Sequence, residues 1–304
     1  MFHHITAICS NPISNIEFYK GLLGMRLVKV TVNFDDPQSY HLYYGDSNGS
    51  PGTLLTFFVW PHLSYGREGY GLWGRIILSV PPGSLGYWKK RLKENDIEYE
   101  DSFIEEKSAL LFYDNDGTSL GLIEEDAKPD YYDNGIGIEH SIIRIIGMEM
   151  ILKGNGDDIE LLSHMGYQIE EDIISNMSSG DEVHVYAKDY SFVIIRLSPD
   201  KGTMGMGSVH HTAFRIDDDK EQEEKRKLLQ KYEPSPIIDR IYFKSVYIAS
   251  PQRLIFEIAT IGPGMRVDEK VLGSSLKLPP WYEPQRKAIV ESLEDLDNIN
   301  FNQG

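Results

Sequence analysis

The sequence predicts an α+β protein made of four βαβββ modules that form two domains, followed by a C-terminal helical tail. Three observations carry this. A strand-like opening with two adjacent histidines, "HHITAIC", returns late in the chain as "VHHTAFRI". Four segments each pass from such an opening through a helical stripe into further strand-like runs. Each unit is about 50 to 70 residues long, in the size range of known repeat units.

Module one begins with "HHITAIC", turns at "SNPIS" and enters the helix "NIEFYKGLLG", where Ile16, Tyr19, Leu22 and Leu23 fall at helical spacing. The strands "MRLVKVTV", "YHLYYGD" and "GTLLTFFVW" complete it. Module two starts near Gly74 with "GRIILSV", and its helix carries the stripe Leu85, Trp88 and Leu92 before "ALLFYDND" and "SLGLIEE". Module three is fainter, running from Gly147 through a short helix "GDDIELLSHMG" to "VHVYAK" and "SFVIIRLS". Module four runs from Gly207 through "DDDKEQEEKRKLLQKY" to "YFKSVYIAS" and "RLIFEIATI". The Pro/Asp/Gly-rich stretch "DAKPDYYDNGIGIE" separates an N-terminal domain, 1–128, from a C-terminal domain, 138–265. In the tail, 266–304, "LKLPPWYEPQRKAIVESLEDL" reads as a turn leading into one amphipathic helix.

Composition narrows the function. The 304 residues are 41% hydrophobic and 25% charged, an ordinary composition for a soluble fold with material for two domains. A formal charge of −17 argues against nucleic acid, because a phosphate backbone is held by clustered Lys and Arg. It argues against an anionic membrane surface for the same reason, and no apolar run approaches the roughly 20 residues of a spanning helix. With Cys9 as the single cysteine there is no internal disulfide, and the N-terminus does not read as a signal peptide. A cytoplasmic protein acting on a small molecule is expected; a homo-oligomer stays open.

The histidines are the candidate site. On a regular strand, successive side chains point to opposite faces. His3 is then expected to share a face with Ile5, Ala7 and Cys9, and His4 with Thr6 and Ile8; His210 goes with Phe214 and Ile216, and His211 with Ala213 and Arg215. The second histidine of each pair thus looks into the same kind of concavity. Glu257 in "RLIFEIATI" is a further candidate, because a carboxylate among Leu254, Ile255, Phe256 and Ile258 needs a cation. That cation is a metal or, alternatively, a buried arginine. Two imidazoles and one carboxylate with open positions suit Fe(II) and O2, while Mn(II), Zn(II) or Ni(II) could occupy the same set. Module two is an internal control: Gly121 aligns with Glu257, and Trp73 and Gly74 are expected in place of a histidine pair.

Together, "HHITAI", "FYKGLLGMRLVKVTVNFDDPQSYHLYYGD", "GTLLTFF", "PPGSL", "HHTAF", "FEIATIGPG" and "LKLPPWYEP" resemble signatures of the vicinal oxygen chelate superfamily, and within it the hydroquinone-type ring-cleaving dioxygenases. The resemblance covers nearly the whole chain. It implies non-haem Fe(II) held by His4, His211 and Glu257, with His3, His210, Arg240 and Tyr247 as catalytic helpers around it. It also implies an aromatic substrate and O2, with Tyr247 donating to a phenolate oxygen, Arg240 offsetting negative charge and a neutral first histidine taking a proton. These ligand positions require modules one and four to face each other across one cup, leaving modules two and three to close a metal-free half. Glu149 falls near where relatives tend to carry a histidine, and Met265 where an aromatic is common. The alternatives are a glyoxalase-like isomerase or catechol dioxygenase of the same fold, or a metal-free protein that sequesters an aromatic.

Other features are weaker. His41 and His62 lie beside aromatic clusters and read as packing or loop residues. "GYGLWG" and "GMGS" do not follow a strand and open a helix, which excludes a dinucleotide site. The charge-rich helix of module four reads as a solvated face.

Overall fold

In the computed structural model, residues 1–104, 106–130, 133, 135–154, 156–168, 181–187, 189 and 191–296 are described. Parts of the expected linker (131, 132 and 134), Lys188 of "VHVYAK" and residues 297–304 of the tail lie outside this set.

Module one is β1 (Phe2–Cys9), a helical segment from Pro12 to Leu22, β2 (Arg26–Asn33), β3 (Asp36–Gly45) and β4 (Leu54–Val59). Asn11 caps the helix by accepting from the Ser14 amide at 2.9 Å, and Pro12 opens its first turn. Module two is β5 (Leu72–Val80), the helix Leu85–Glu94, β6 (Tyr99–Ile104), β7 (Lys107–Tyr113) and β8 (Ser119–Glu124). Module three is β9 (Arg144–Leu152), the helix Asp157–His164, β10 (Tyr167–Gln168), β11 (Glu182–Ala187) and β12 (Phe192–Leu197). Module four is β13 (Val209–Ile216), the helix Asp219–Leu228, β14 (Ile238–Asp239), β15 (Lys244–Ala249) and β16 (Ile255–Thr260). All four βαβββ units are present. Tyr19, Leu23, Trp88 and Leu92 are buried as their spacing predicted, whereas the Asp219–Leu228 helix buries only Gln222.

The opening strands decide how the modules meet. β1 pairs antiparallel with β13, and β5 pairs antiparallel with β9, so modules one and four close one half and modules two and three the other. The halves join along one sheet path through a single β5–β13 contact at Trp73 and Val209.

Each opening pair contains two β-bulges. Between β1 and β13 the register runs Phe2 to Phe214 and then His4 to Ala213, leaving His3 as an extra residue. It runs Thr6 to His211 and then Ala7 to Val209, leaving His210 extra. This corrects the alternation expected from sequence. An inserted residue resets the pleat, so both histidines of a pair turn toward the same side. Phe2 and Ile5, an odd number of residues apart, accordingly share one core, as do Val209 and Phe214. The β5–β9 pair has matching shifts at Ile146 and between Trp73 and Ile76. Superposing the registers puts Ile146–Gly147 and Gly74–Arg75 where the histidine pairs stand. Gly74–Arg75 therefore replaces the Trp73–Gly74 alignment, and Gly147 rather than Glu149 holds a histidine's place.

The second half is filled. A Cβ at Gly147 would lie 2.5 Å from the Phe192 ring, and one at Gly121 would lie 2.9 Å from Ile77 Cδ1. Ile77, Ile104, Ala109, Ile123, Ile146, Phe192 and Ile194 pack together there. Glu149, although buried, accepts from Arg196 Nε at 2.7 Å and from the Arg75 amide at 3.2 Å.

The tail lies against module one. The Lys277 amide donates to the Val30 carbonyl at 2.9 Å, and the Tyr282 hydroxyl donates to the Phe34 carbonyl at 3.0 Å. Lys29, fully buried, donates to the Met265 carbonyl at 2.9 Å and pairs with Asp268 and Glu269. These contacts hold the β2–β3 turn, residues 33–35, over the cup. The short helix Arg286–Ser292 buries Ile289.

Candidate metal centre

Four strands converge on one buried point. β1 supplies His4, β13 supplies His211 and β16 supplies Glu257, which is fully buried between β13 and β15. The two Nε2 atoms are 3.2 Å apart, and Glu257 Oε2 lies 3.3 Å from that of His4 and 3.0 Å from that of His211. Among the described residues this is the one group of His, Cys, Asp or Glu side chains close enough to share a metal ion. Among the described residues, no arginine pairs with Glu257.

The triangle has the dimensions of a coordination face. Donors about 2.1 Å from a shared ion are about 3.0 Å apart at a right angle and about 3.4 Å apart at the tetrahedral angle. The observed edges fall in that interval. Glu257 Oε2 is buried close to two ring nitrogens yet accepts no hydrogen bond of acceptable geometry. Two imidazole nitrogens and a buried carboxylate oxygen meeting at coordination distances offer a place for a cation, so the residues fit a divalent metal. Burial opposes ionisation of Glu257, but the two imidazoles outweigh it and hold its pKa well below the usual carboxylate range. The Ser245 hydroxyl, from β15, donates to the other oxygen, Oε1, and fixes the carboxylate's rotation.

The bulges put the first histidines behind the second. His3 Nδ1 lies 2.9 Å from His4 Nδ1, and His210 Nδ1 lies 2.8 Å from His211 Nδ1. Burial, then the adjacent His4, pushes the pKa of His3 down to about 3; burial and His211 do the same to His210. Phe243 packs on His3 and His4, and Phe58 and Trp60 on His210.

A small pocket opens beside the triangle, lined by His4, His211, Tyr247 and Arg240 together with His41, Tyr43, Phe58, Phe243 and residues 33–35. Neither His3 nor His210 lines it, and Met265 is packed away from it with Val28 and Tyr242. The Arg240 guanidinium lies 5.3 Å from the centre of the Tyr247 ring and pairs with Asp35 at 3.0 Å rather than with Asp239. Burial works against its charge, but Tyr247 and Asp35 more than offset this and raise its pKa. Burial also raises the pKa of Tyr247, which keeps its hydroxyl protonated. His62 is exposed, as expected of a loop residue, but His41 is not mere packing: it faces the pocket without joining the triangle. A larger cleft lies beside Trp73, Ser119 and Val209 and is lined by none of the three.

Sequence reasoning missed Ser245, His41, Tyr43 and Thr56. Aligning "YHLYYGD" and "GTLLTFF" of module one with "FKSVYIAS" and "LIFEIAT" of module four would have found all four, because the two strand pairs share one register.

Paired βαβββ modules closing over a buried His–His–Glu face define the vicinal oxygen chelate class. The chain is 38% identical over 303 residues to MhqE of Bacillus subtilis (strain 168), named as a ring-cleaving dioxygenase, covering 97% of this chain and 98% of that one. It is 24% identical over 314 residues to the chlorohydroquinone/hydroquinone 1,2-dioxygenase of Sphingobium indicum, covering 96% and 95%. A crystal structure of a Bacillus subtilis dioxygenase superposes with a TM-score of 0.88 at 33% identity over 97% of each chain. Glyoxalase I from Zea mays shares the fold, with a TM-score of 0.60 at 12% identity over 85% of this chain and 92% of that one. No family model matches the sequence. This protein belongs to the ring-cleaving dioxygenase family of the vicinal oxygen chelate superfamily. Among the described residues, no helix is long and apolar enough to cross a membrane.

Proposed function

We propose that the protein opens the ring of a hydroquinone-like aromatic with O2, using Fe(II) held by His4, His211 and Glu257. The observation that carries the reading is the convergence of Glu257 Oε2 and two imidazole Nε2 atoms within 3.3 Å of one another, next to a pocket that both histidines line. Iron, when bound there, supplies the redox coupling that lets ground-state O2 react with an electron-rich ring. Both oxygen atoms enter the product, so the ring is the reductant and no external electron donor is needed.

The chain's own residues do the rest. For His4 and His211 to offer Nε2 lone pairs, their protons must sit on Nδ1 and point at His3 and His210. Those two, neutral, accept at Nδ1 and lock the ring orientation. Tyr247 keeps its proton and donates to a phenolate oxygen of the substrate. Arg240, stacked near Tyr247 and paired with Asp35, stabilises that oxygen's negative charge. Phe58 and Phe243 supply apolar walls for the ring and keep water away. A cytoplasmic setting belongs to the same reading, with Cys9 buried and reduced.

The test is anaerobic reconstitution with Fe(II), followed by oxygen-electrode assays over hydroquinones and catechols. Oxygen uptake with hydroquinones supports the proposal. Uptake confined to catechols reassigns the substrate, and no uptake with any diol would return the site to isomerase or binding chemistry.

A further inference from the structure

The two halves of the cup are related by an approximate twofold that the strand registers make explicit. In module four, β15 sets Tyr247 opposite Glu257 and Ser245 opposite Ala259. In module one, β3 sets Tyr43 opposite Thr56 and His41 opposite Phe58. Thr56 is therefore the counterpart of Glu257, Tyr43 of Tyr247 and His41 of Ser245. The fourth corner of the cup holds a hydroxyl where its mate holds a carboxylate, so it leaves one side of the triangle without a protein ligand.

That corner carries a hydrogen-bond chain. Thr6 Oγ1 and Thr56 Oγ1 are 2.8 Å apart, Thr56 Oγ1 and His41 Nε2 are 2.8 Å apart, and His41 Nδ1 lies 3.1 Å from the Tyr43 hydroxyl. Both nitrogens of His41 are engaged, so its single ring proton settles the polarity of the chain. With the proton on Nδ1, His41 donates to Tyr43 and the tyrosine hydrogen is free; with it on Nε2, Tyr43 donates and its oxygen retains an accepting lone pair. Either way, among the described residues, the Tyr43 hydroxyl keeps one unused hydrogen-bonding position, and both Tyr43 and His41 line the pocket.

We propose that Tyr43 is a second substrate-positioning residue, which hydrogen-bonds a ring hydroxyl other than the one held by Tyr247 and is aimed by His41, Thr56 and Thr6. The inference rests on the function proposed above and sharpens it. The pocket selects a ring with two oxygen substituents, because a hydroxyl can satisfy Tyr43 in either polarity and a methyl group in neither.

Hydroquinone and 4-methylphenol differ by one hydroxyl for methyl exchange at nearly constant shape. Their dissociation constants are measured anaerobically, by calorimetry, on the Fe(II)-loaded full chain. Wild type should favour hydroquinone roughly tenfold, the worth of one well-made hydrogen bond. Tyr43→Phe should lose that preference, weakening hydroquinone binding about tenfold and 4-methylphenol binding less than about twofold, with iron content unchanged. Thr56→Val should weaken hydroquinone alone and add nothing in the Tyr43→Phe background, since both act through one hydroxyl. Retained preference in Tyr43→Phe overturns the inference, as does equal weakening of both ligands, which would mean the ring was only packing. Failure of wild type itself to bind hydroquinone sinks the proposed function, and with it this extension.

Discussion

Removing the Ser245 hydroxyl separates a tuned metal site from three side chains that happen to meet. Ser245 lies fully buried on β15 and donates to Glu257 Oε1, leaving Oε2 to face the two imidazoles. Ser245→Ala deletes this charge-assisted bond without altering a ligand, so Oε1 loses its partner and the carboxylate can rotate. Groups that orient a ligand typically change metal affinity by about 10- to 100-fold, which is about 1.4 to 2.7 kcal/mol. At saturating metal, the stabilisation that metal confers on the fold should fall by the same amount. At roughly 2 °C per kcal/mol for a chain of this size, the metal-induced rise in Tm shrinks by about 3 to 5 °C. Two anaerobic measurements check this: competition with a chromophoric chelator for the Fe(II) affinity, and melting curves with metal and with excess chelator. Wild-type affinity together with a wild-type melting shift would refute the argument, because the strand alone would then hold Glu257 in place.

Other outcomes follow from the same geometry. His4→Ala, His211→Ala and Glu257→Ala should each abolish iron binding by mass spectrometry while keeping a native circular-dichroism spectrum; full activity in His4→Ala would contradict the pairing of modules one and four. Gly121→Glu should leave the metal stoichiometry unchanged and lower stability by about 1 to 3 kcal/mol in denaturant titrations, since its side chain enters the space of Ile77 and Leu111. Tyr247→Phe should retain iron and cleave the ring about 10- to 100-fold more slowly, and a wild-type rate on an iron-replete sample would remove Tyr247 from the chemistry.

The paired histidines and Glu257 were legible because their chemistry conflicts with their surroundings: two imidazoles repeated at equivalent places, and one carboxylate in an apolar strand. The ligand set implied by the family resemblance also anticipated which modules would meet, since ligands from the first and last modules must share a cup. What failed was strict alternation. A bulge inserts one residue without a local signature, so the orientation of His3 and His210 could not be counted from a regular strand. Ser245, Tyr43 and Thr56 were overlooked because serine, tyrosine and threonine are ordinary strand residues, and only their register against Glu257 and its counterpart marks them. His41 was set aside because aromatic neighbours usually mean packing; here they form the wall of a pocket.

The joining of β1 to β13 has a consequence for how the molecule comes into being. His4 and His211 stand 207 positions apart, so β1 must wait for β13 to leave the ribosome before the two can pair. Modules two and three, whose opening strands pair with each other, can close in the meantime. Non-local pairings of this kind form slowly, and β1, which pairs with β4 of its own module on one side, keeps its other edge exposed until β13 is made. A chain cut short before β16 would therefore carry both histidine pairs and still lack Glu257, so competence for metal waits on the closing strand of module four.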